Sequence, residues 1–195
     1  MMFHTRKPIY LRNWLCLMDD YLQNRKGFLE LETTTPWEQR VEARKECFMS
    51  DPIRTYTYGK ERGERTYTSV PYSSIVQQII TQVNLWTMGD TPLSFNAVFL
   101  NRYENERQAL GWHSDDSPGQ DHNHPIIVFT AGQPREIWWR PIGYTGVIPQ
   151  EWKQLLEPGS LFVMPGGMQQ THQHRIPKGG RAMGTRISLT FRKFL

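Results

Sequence analysis

The second half of this chain is a succession of short apolar runs, rich in β-branched and aromatic residues and separated by turn-forming residues. From residue 93 onward these runs are Phe95–Tyr103, Pro125–Thr130, Glu136–Pro141, Ser160–Pro165, His172–Pro177 and Arg186–Phe194. Many short strands in a chain of this length favour a β-sandwich or jelly roll. At 195 residues the chain can bury a substantial core without disulfides. We therefore expect a single domain, residues 1–195, that is mainly β.

Two helices are expected before these strands, which makes the fold class α+β. Between Ile9 and Leu22 apolar residues recur at helical spacing, and Gly27 is a plausible stop. A second helix should begin near Ser74, where Ser74 and Gln77 form a possible capping box. Its apolar stripe comprises Ile75, Val76, Ile79, Ile80, Val83 and Trp86. We interpret both helices as packing elements.

The triplet His113-Ser114-Asp115 follows the first of these strands and is a possible metal site. Residues i and i+2 of an extended strand point to the same side, so the triplet offers a nitrogen and an oxygen ligand together. A third ligand is available from His172 or His174. Two imidazoles and one carboxylate on one face of a metal are typical of non-haem Fe(II) oxygenases. The triplet alone is equally compatible with a polar strand end.

A second constellation lies in the last strand. Alternation places Arg186, Ser188, Thr190 and Arg192 on one face of the segment 186–192. Guanidiniums are suited to bidentate binding of carboxylates, so this face could hold a dicarboxylate beside the metal. The alternative is an ordinary solvated strand face.

These segments resemble the AlkB-type Fe(II)/2-oxoglutarate-dependent dioxygenases, a family of nucleic-acid demethylases. The resemblance rests on FNAVFLNRY, HSDD, HRIP and RISLTFR in the second half, and on PWEQR, PIRTYTYG and TYTS upstream. It covers roughly residues 36–195. It implies a double-stranded β-helix (jelly roll) whose catalytic core spans about 93–195, with buttressing N-terminal helices and a nucleotide-recognition lid at about 36–70.

The resemblance also implies the residues of the site. Fe(II) would be held by His113, Asp115 and His174, with His174 preferred to His172 because it heads HRIP. 2-Oxoglutarate would be reached by Asn101 and Tyr103, its distal carboxylate gripped by Arg192 and the end near the metal held by Arg186. Asn101 and Tyr103 could instead be an inward-facing polar pair. With O2, the implied reaction is oxidative demethylation that releases formaldehyde, succinate and CO2.

The implied substrates are alkylated bases such as 1-methyladenine and 3-methylcytosine, in DNA or RNA, and the implied task is repair of alkylation damage. Asp116 would lie near the base, which must be flipped or single-stranded to be reached. Arg54, Tyr58 and Tyr67 belong to a segment dense in tyrosine and basic residues that would form the lid. The alternative for this segment is a solvated hairpin with exposed tyrosines.

Two local features refine this expectation. Family members that act on duplexes carry an aromatic wedge in the hairpin before the PRLTxxYG-like segment, whereas residues 41–46 here contain no ring. We therefore expect a preference for single-stranded DNA or RNA. Ile53 stands where the family usually has arginine, which leaves one phosphate or base contact in doubt, although Arg54 is adjacent.

The composition is compatible with an intracellular enzyme. The net charge of +4 predicts a mild preference for polyanions. The segment after Pro158 contains no Asp or Glu, so positive charge is concentrated there. Two cysteines, Cys16 and Cys47, provide no disulfide framework, and no apolar run reaches the ~18 residues of a membrane span. We expect a soluble monomer in the cytoplasm, or in the nucleus of a eukaryote. The rival functions are a related dioxygenase acting on protein, lipid or a small molecule, and a noncatalytic nucleic-acid-binding module.

Overall fold

The computed structural model describes residues 7–12, 25–58, 64–85, 87–88 and 91–195. Its helices are α1 (Arg25–Thr34), α2 (Ser74–Leu85) and α3 (Met168–Thr171), and a 3-10 turn covers Gln150–Trp152. The strands are β1 (Ile9–Leu11), β2 (Glu38–Val41), β3 (Arg44–Ser50), β4 (Thr55–Tyr58), β5 (Arg65–Thr68), β6 (Thr87–Met88), β7 (Thr91–Pro92), β8 (Ala97–Tyr103), β9 (Leu110–His113), β10 (Ile126–Gly132), β11 (Arg135–Pro141), β12 (Lys153–Leu156), β13 (Leu161–Met164), β14 (His172–Ile176) and β15 (Arg186–Arg192).

Two antiparallel sheets face each other and form the jelly roll expected from the sequence. The large sheet has the order β1-β13-β10-β15-β8-β3-β2, and the small sheet has the order β12-β11-β14-β9. Apolar side chains from both sheets pack between them, among them Val128 and Phe162 from the large sheet and Ile137 and Ile176 from the small one. The space between the sheets is therefore a shared interior that is partly apolar.

The alternation of β15 separates the two sides of the large sheet. Ile187, Leu189 and Phe191 belong to the core cluster formed with the helices. The opposite face, which begins at Arg186 and ends at Arg192, points into the space between the sheets, and all seven residues of the strand are buried. The expected arginine face thus exists, and it lies inside the protein rather than in solvent.

Both described long helices pack on the outer side of the large sheet. In α2 the expected stripe is buried at Ile75, Val76, Ile79, Ile80 and Val83, whereas Trp86 lies outside the described residues. Helix α1 adds Phe28 and Leu31 to the same core. Gly27, expected as a helix stop, lies within α1 at a buried position, so tertiary packing overrides its weak helix propensity.

The expected helix between Ile9 and Leu22 is wrong at its beginning. Ile9, Tyr10 and Leu11 form strand β1, which pairs with Val163, Phe162 and Leu161 of β13. Pairing with β13 outweighs the helical spacing of the apolar residues, so these residues form a strand. The remainder of that expected helix, residues 13–22, lies outside the described residues.

The hairpin of β4 and β5 closes one end of the interior. Tyr56 and Tyr67 pair across it and pack with Phe48, Phe99 and Phe194. Both tyrosine rings are only 2 % exposed. The hairpin is therefore anchored to the core by its aromatic face. In the described part of the chain, no helix is long and apolar enough to cross a membrane.

Candidate metal and co-substrate site

Three potential metal ligands meet between the sheets. His113 ends β9, Asp115 follows it in the next loop, and His174 lies on β14 directly opposite His113 in the register. One ligand atom of each residue lies within 4.8 Å of the other two. The Nε2 atoms of His113 and His174 are each 3.8 Å from an oxygen of Asp115. This is the set of two imidazoles and one carboxylate that the sequence predicts.

The protonation of these groups suits a cation. Burial lowers the pKa of His113, and burial together with the neighbouring His113 lowers the pKa of His174 to about 3. Burial alone would raise the pKa of Asp115, but the Arg192 guanidinium together with His174 and His113 holds that pKa far below its usual range. At neutral pH the site therefore offers two neutral imidazoles and a carboxylate, the forms that bind metals.

Neighbouring groups fix the orientation of the ligands. Nδ1 of His113 lies 2.8 Å from the carbonyl oxygen of Gly111, which can only accept, so Nδ1 carries the proton and Nε2 keeps its lone pair. The backbone N–H of Asp115 donates to Oε1 of Gln169 at 3.0 Å, and Nε2 of Gln120 donates to the Asp115 carbonyl at 3.1 Å. The carboxylate is thus held on a loop with little freedom.

His172 takes a different position from His174. Its Nδ1 lies 2.8 Å from Oγ1 of Thr171, and its carbonyl oxygen accepts a hydrogen bond from Ser114 at 2.8 Å. Among the described residues it does not belong to the group of three ligands. The geometry therefore favours His174 over His172, and His172 supports the loop that carries Asp115.

A cavity extends from the three ligands into the space between the sheets. Its lining includes Asn101, Tyr103, Arg186 and Arg192, the residues expected to bind a co-substrate. The expected ligands and the expected co-substrate residues therefore surround one continuous space.

Arg186 is the clearest sign of an anionic ligand. Its side chain is fully buried, and its Nη2 donates to Oγ1 of Thr130 at 3.1 Å. Its Nε and Nη1 have no hydrogen-bond partner, and no described carboxylate forms a salt bridge with it. Burial lowers its pKa to about 10. A buried cation with unused donors is costly unless an anion completes it.

The two arginines of the cavity have different neighbours. Nη2 of Arg192 donates to Oδ2 of Asp115 at 2.9 Å, so Arg192 is the arginine beside the metal ligands. Arg186 instead lies over the ring of Tyr103 at 5.5 Å and bonds to Thr130 of β10. Arg192 therefore contacts a metal ligand, whereas Arg186 contacts Thr130 and the ring of Tyr103.

Asn101 and Tyr103 both face the cavity, as their spacing predicts. Oδ1 of Asn101 accepts a hydrogen bond from Nε of Arg44 at 2.7 Å, which leaves the amide N–H groups of Asn101 to serve the cavity. Tyr103 is 1 % exposed and lies between the guanidiniums of Arg135 and Arg186. Asn101 and Tyr103 therefore have separate partners and are not a pair bonded to each other.

Several functional neighbours were not expected from the sequence. Arg44 and Glu46 form a buried salt bridge at 2.5 Å, and Glu46 also accepts a hydrogen bond from the hydroxyl of Tyr67 at 2.6 Å. Tyr56 lines the cavity from the hairpin. Charges in a short hairpin are usually solvated, so only the pairing of β3 with β8 reveals that Arg44 and Glu46 point inward.

Three of the four expected substrate residues, Asp116, Tyr67 and Arg54, do not line the cavity. Asp116 is exposed beside Asp115. Tyr67 is buried under the Arg40 guanidinium, 4.4 Å from the ring centre, so a base reaches this ring only if Arg40 moves. Arg54 lies over the ring of Phe194 at 5.3 Å. The backbone of Tyr58 ends β4, and its side chain lies outside the described residues, as do Lys60 and Arg62.

The residues present fit an Fe(II) ion and a dicarboxylate. The ion is accommodated by the neutral imidazoles and the carboxylate within 4.8 Å of one another. The dicarboxylate is accommodated by the unused Nε and Nη1 of Arg186 at a buried position in the same cavity. Both requirements are met by side chains of this chain alone.

Comparison with known proteins agrees with this site. The profile of the 2OG-Fe(II) oxygenase superfamily matches residues 16–192. The chain is 30% identical to bovine alpha-ketoglutarate-dependent dioxygenase alkB homolog 3, over 91% of this chain and 65% of that protein. It is 32% identical to the human protein of that name, over 80% of this chain and 57% of the relative.

A further relative and a solved structure complete the comparison. Bovine DNA oxidative demethylase ALKBH2 is 28% identical, over 86% of this chain and 63% of the relative. The solved structure of OsALKBH1 has a TM-score of 0.59 at 18% identity, covers 98% of this chain and 100% of that one, and supports the fold. The chain thus spans less than two thirds of the length of these three curated relatives.

Proposed function

Since the chain belongs to the 2OG-Fe(II) oxygenase superfamily, we propose that it demethylates N-alkylated nucleobases in DNA or RNA by oxidation. Membership in this superfamily implies Fe(II), 2-oxoglutarate and O2. The observation that carries the proposal is the buried, incompletely bonded Arg186 in the same cavity as His113, Asp115 and His174. The relatives named alkB homolog 3 and DNA oxidative demethylase support the nucleic-acid substrate. Repair of alkylation damage is the proposed task.

The chain's own residues would prepare the reaction. Bound Fe(II), with 2-oxoglutarate and O2, supplies the oxidation of a C–H bond. His113, Asp115 and His174 would hold the ion, and Arg192 keeps Asp115 ionised and oriented through its 2.9 Å hydrogen bond. Arg186 would bind the distal carboxylate of 2-oxoglutarate, and Asn101 and Tyr103 would line its chain. Enclosure between two sheets keeps water from the reacting groups.

The products follow from the chemistry of an N-methyl group. Hydroxylation of this group gives a hemiaminal that breaks down to formaldehyde and the free base, while 2-oxoglutarate becomes succinate and CO2. We propose 1-methyladenine and 3-methylcytosine as representative substrates, with Asp116 facing the base or its cationic form. Its exposure beside Asp115 leaves it accessible to an incoming nucleotide. Arg54 and Tyr58 remain proposed contacts of the lid, residues 36–70.

A preference for single strands is proposed from the hairpin of β2 and β3. Its tip is Glu42 and Ala43, and the inward side chains behind it are Arg44 and Glu46, which bond to each other. No residue of this hairpin tip is aromatic, so it offers no ring to take the place of a flipped base in a duplex. We propose a monomer that acts on single-stranded nucleic acid in the cytoplasm, or in the nucleus of a eukaryote.

The decisive experiment measures products on matched substrates. Oligonucleotides that carry one 1-methyladenine, as single strands and as duplexes, are incubated with Fe(II), ascorbate and 2-oxoglutarate, and formaldehyde, succinate and the repaired base are quantified by mass spectrometry. We expect equal amounts of all three and faster turnover of the single strand. Faster turnover of the duplex would refute the strand preference, and succinate without repaired base would refute demethylation of this base.

The substitution Asp115→Ala separates catalysis from binding. Loss of the carboxylate removes one of the three ligands, so we expect turnover to disappear while the oligonucleotide still binds. Asp121→Ala, in the loop beyond the site, serves as the control. Undiminished turnover in Asp115→Ala would remove this residue from the ligand set, and a chain that binds oligonucleotide without any turnover would be a noncatalytic binding module.

A further inference from the structure

The outer face of the small sheet carries a row of alternating cations and indoles. The row contains Trp112, Trp138, Arg140, Lys153 and Arg175, which we call the Trp–Arg row. Lys153 pairs in register with Trp138, and Trp138 pairs with Arg175, next to the pair His174 and His113. Because side chains alternate along strands, these residues point away from the metal ligands. The row therefore crosses the sheet from β12 to β9 on the side opposite the cavity.

Each cation lies on an indole ring. Arg175 lies 4.2 Å from the ring centre of Trp138 and 4.9 Å from that of Trp112. Arg140 lies 4.2 Å from Trp112, and Lys153 lies 4.6 Å from Trp138. All five side chains are half-buried. The stacking holds three long cationic side chains in defined positions on a sheet surface.

The cations of the row form no direct ion pair with a described carboxylate. Within the described ranges, no salt bridge involves Arg140, Lys153 or Arg175. The nearby carboxylate of Glu136 accepts a hydrogen bond from the indole nitrogen of Trp138 at 2.8 Å. The proximity of Arg140 adds to burial in lowering the pKa of Arg175. Holding like charges together costs free energy that an anionic partner would offset.

The chemistry of the row selects phosphates rather than bases. A guanidinium on an indole ring covers a face on which a base would stack. Nη2 of Arg140 donates to Oε1 of Gln173 at 3.3 Å, and the Nε atoms of Arg140 and Arg175 are buried, so a phosphate would be bound by the remaining terminal N–H groups. With strands about 4.8 Å apart, the cations of the row, which lie on β12, β11 and β14, span roughly 10 Å. That length suits successive phosphates of an extended strand better than a single small anion.

The location of the row connects it to the cavity. Trp112 immediately precedes His113, and Arg175 immediately follows His174, so the row and the metal ligands are opposite faces of the same two strands. β9 is an edge strand of the small sheet. We propose that the Trp–Arg row binds the phosphodiester backbone of single-stranded nucleic acid outside the nucleotide in the cavity. This inference rests on the proposed function and adds a second contact region for the same substrate.

The test measures how oligonucleotide binding depends on salt. A fluorescein-labelled, unmodified oligothymidylate of about 20 nucleotides is titrated with the wild-type protein and the double variant Arg140→Gln/Arg175→Gln at several salt concentrations. Each lost phosphate contact lowers the slope of log K against log salt by about 0.7, so the double variant should bind more weakly with a slope shallower by about 1.4. Arg140→Lys/Arg175→Lys retains the charge and should retain most of the slope.

The matched control removes the same charge elsewhere. Lys7→Gln/Arg12→Gln alters two exposed cations that flank β1, an edge strand of the large sheet and not part of the small sheet that carries the row. We expect its slope to equal that of the wild type. An equal loss in this control would show general electrostatics and refute the proposal, as would an unchanged slope in Arg140→Gln/Arg175→Gln. Equally tight binding of a polyglutamate peptide would refute the assignment to nucleic acid.

A measurement on the wild-type protein avoids any effect of the substitutions on folding. Modification of arginines by a dicarbonyl reagent, mapped by mass spectrometry, should be slower at Arg140 and Arg175 when oligothymidylate is bound. Equal modification with and without the oligonucleotide would refute the proposal. Turnover of a methylated trinucleotide is measured separately, so that failure of the proposed demethylation is distinguished from failure of this binding surface.

Discussion

Replacing Arg186 with methionine should change stability and co-substrate affinity in opposite directions. Burial lowers the pKa of Arg186 to about 10, which at 1.36 kcal/mol per pKa unit disfavours the charged form by on the order of 3 kcal/mol. This cost is present at every pH below about 10, because the folded pKa of this base lies below its unfolded value. Methionine removes the cost and loses the hydrogen bond to Thr130, worth about 1 kcal/mol.

The protein without ligands should therefore be more stable by on the order of 1–2 kcal/mol, a rise of several degrees in Tm. The affinity for 2-oxoglutarate should fall on the order of a hundredfold, since roughly 3 kcal/mol of charge-assisted bonding to its carboxylate is lost. Thermal unfolding of the ligand-free protein measures the first effect. Calorimetric titration of 2-oxoglutarate into the Mn(II)-loaded protein measures the second.

Arg135→Met is the matched control for this prediction. Arg135 is also buried, but its guanidinium donates to the carbonyl oxygens of Asn105, Gln108 and Pro177 at 3.2, 2.9 and 2.7 Å. Its removal leaves these acceptors without their donor and should lower the Tm. If Arg186→Met also lowered the Tm and left the 2-oxoglutarate affinity unchanged, Arg186 would be a structural cation and the argument from its unused donors would be wrong.

Three further outcomes are expected. Asp116→Ala should release less formaldehyde per succinate on a methylated single strand, because the carboxylate proposed to position the base is lost while the iron ligands remain; an unchanged ratio would exclude that role. Gly132→Ala should lower the free energy of unfolding by about 2–4 kcal/mol, because φ is +79° and a Cβ would lie 2.4 Å from the Thr185 carbonyl oxygen. Denaturant unfolding measures this loss, and Gly143→Ala, where an added Cβ meets no atom within 4 Å, is the control. The Tm of the metal-free protein should fall as the pH decreases from the ordinary histidine pKa to about 3, because the folded state disfavours protonation of His174. The fall should be smaller in His174→Gln. Parallel curves of Tm against pH for the two proteins would contradict this cause.

Local patterns predicted the parts of this protein whose causes are local. Alternation along residues 186–192 predicted which side chains of β15 share a face, because the period of a strand is fixed by its backbone. The spacing of His113 and Asp115, together with the resemblance, indicated the metal ligands that the structure brings together. Helix α2 likewise has the expected buried stripe, since its periodicity extends over a long segment.

The remaining features depend on contacts between distant segments. The pairing of β1 with β13 overrides the helical spacing at Ile9, and no residue near Ile9 indicates that partner. The inward direction of Arg44 and Glu46 follows from the register of β3 against β8. The positions of Arg186 and Arg192 in the cavity depend on where Asp115 returns to the sheet, so the motif alone does not show which arginine contacts Asp115.

Because His113 and His174 lie opposite each other, a bound ion would also influence how β9 and β14 are aligned. β9 meets β14 through the pairs His113 with His174 and Leu110 with Ile176, and the register shifts between them. A slip by one residue would turn His113 outward and Trp112 inward, because neighbouring side chains alternate. An ion held by both histidines would tie the two strands together at one register. Loading with metal should therefore protect this sheet edge from fraying and from pairing with other chains.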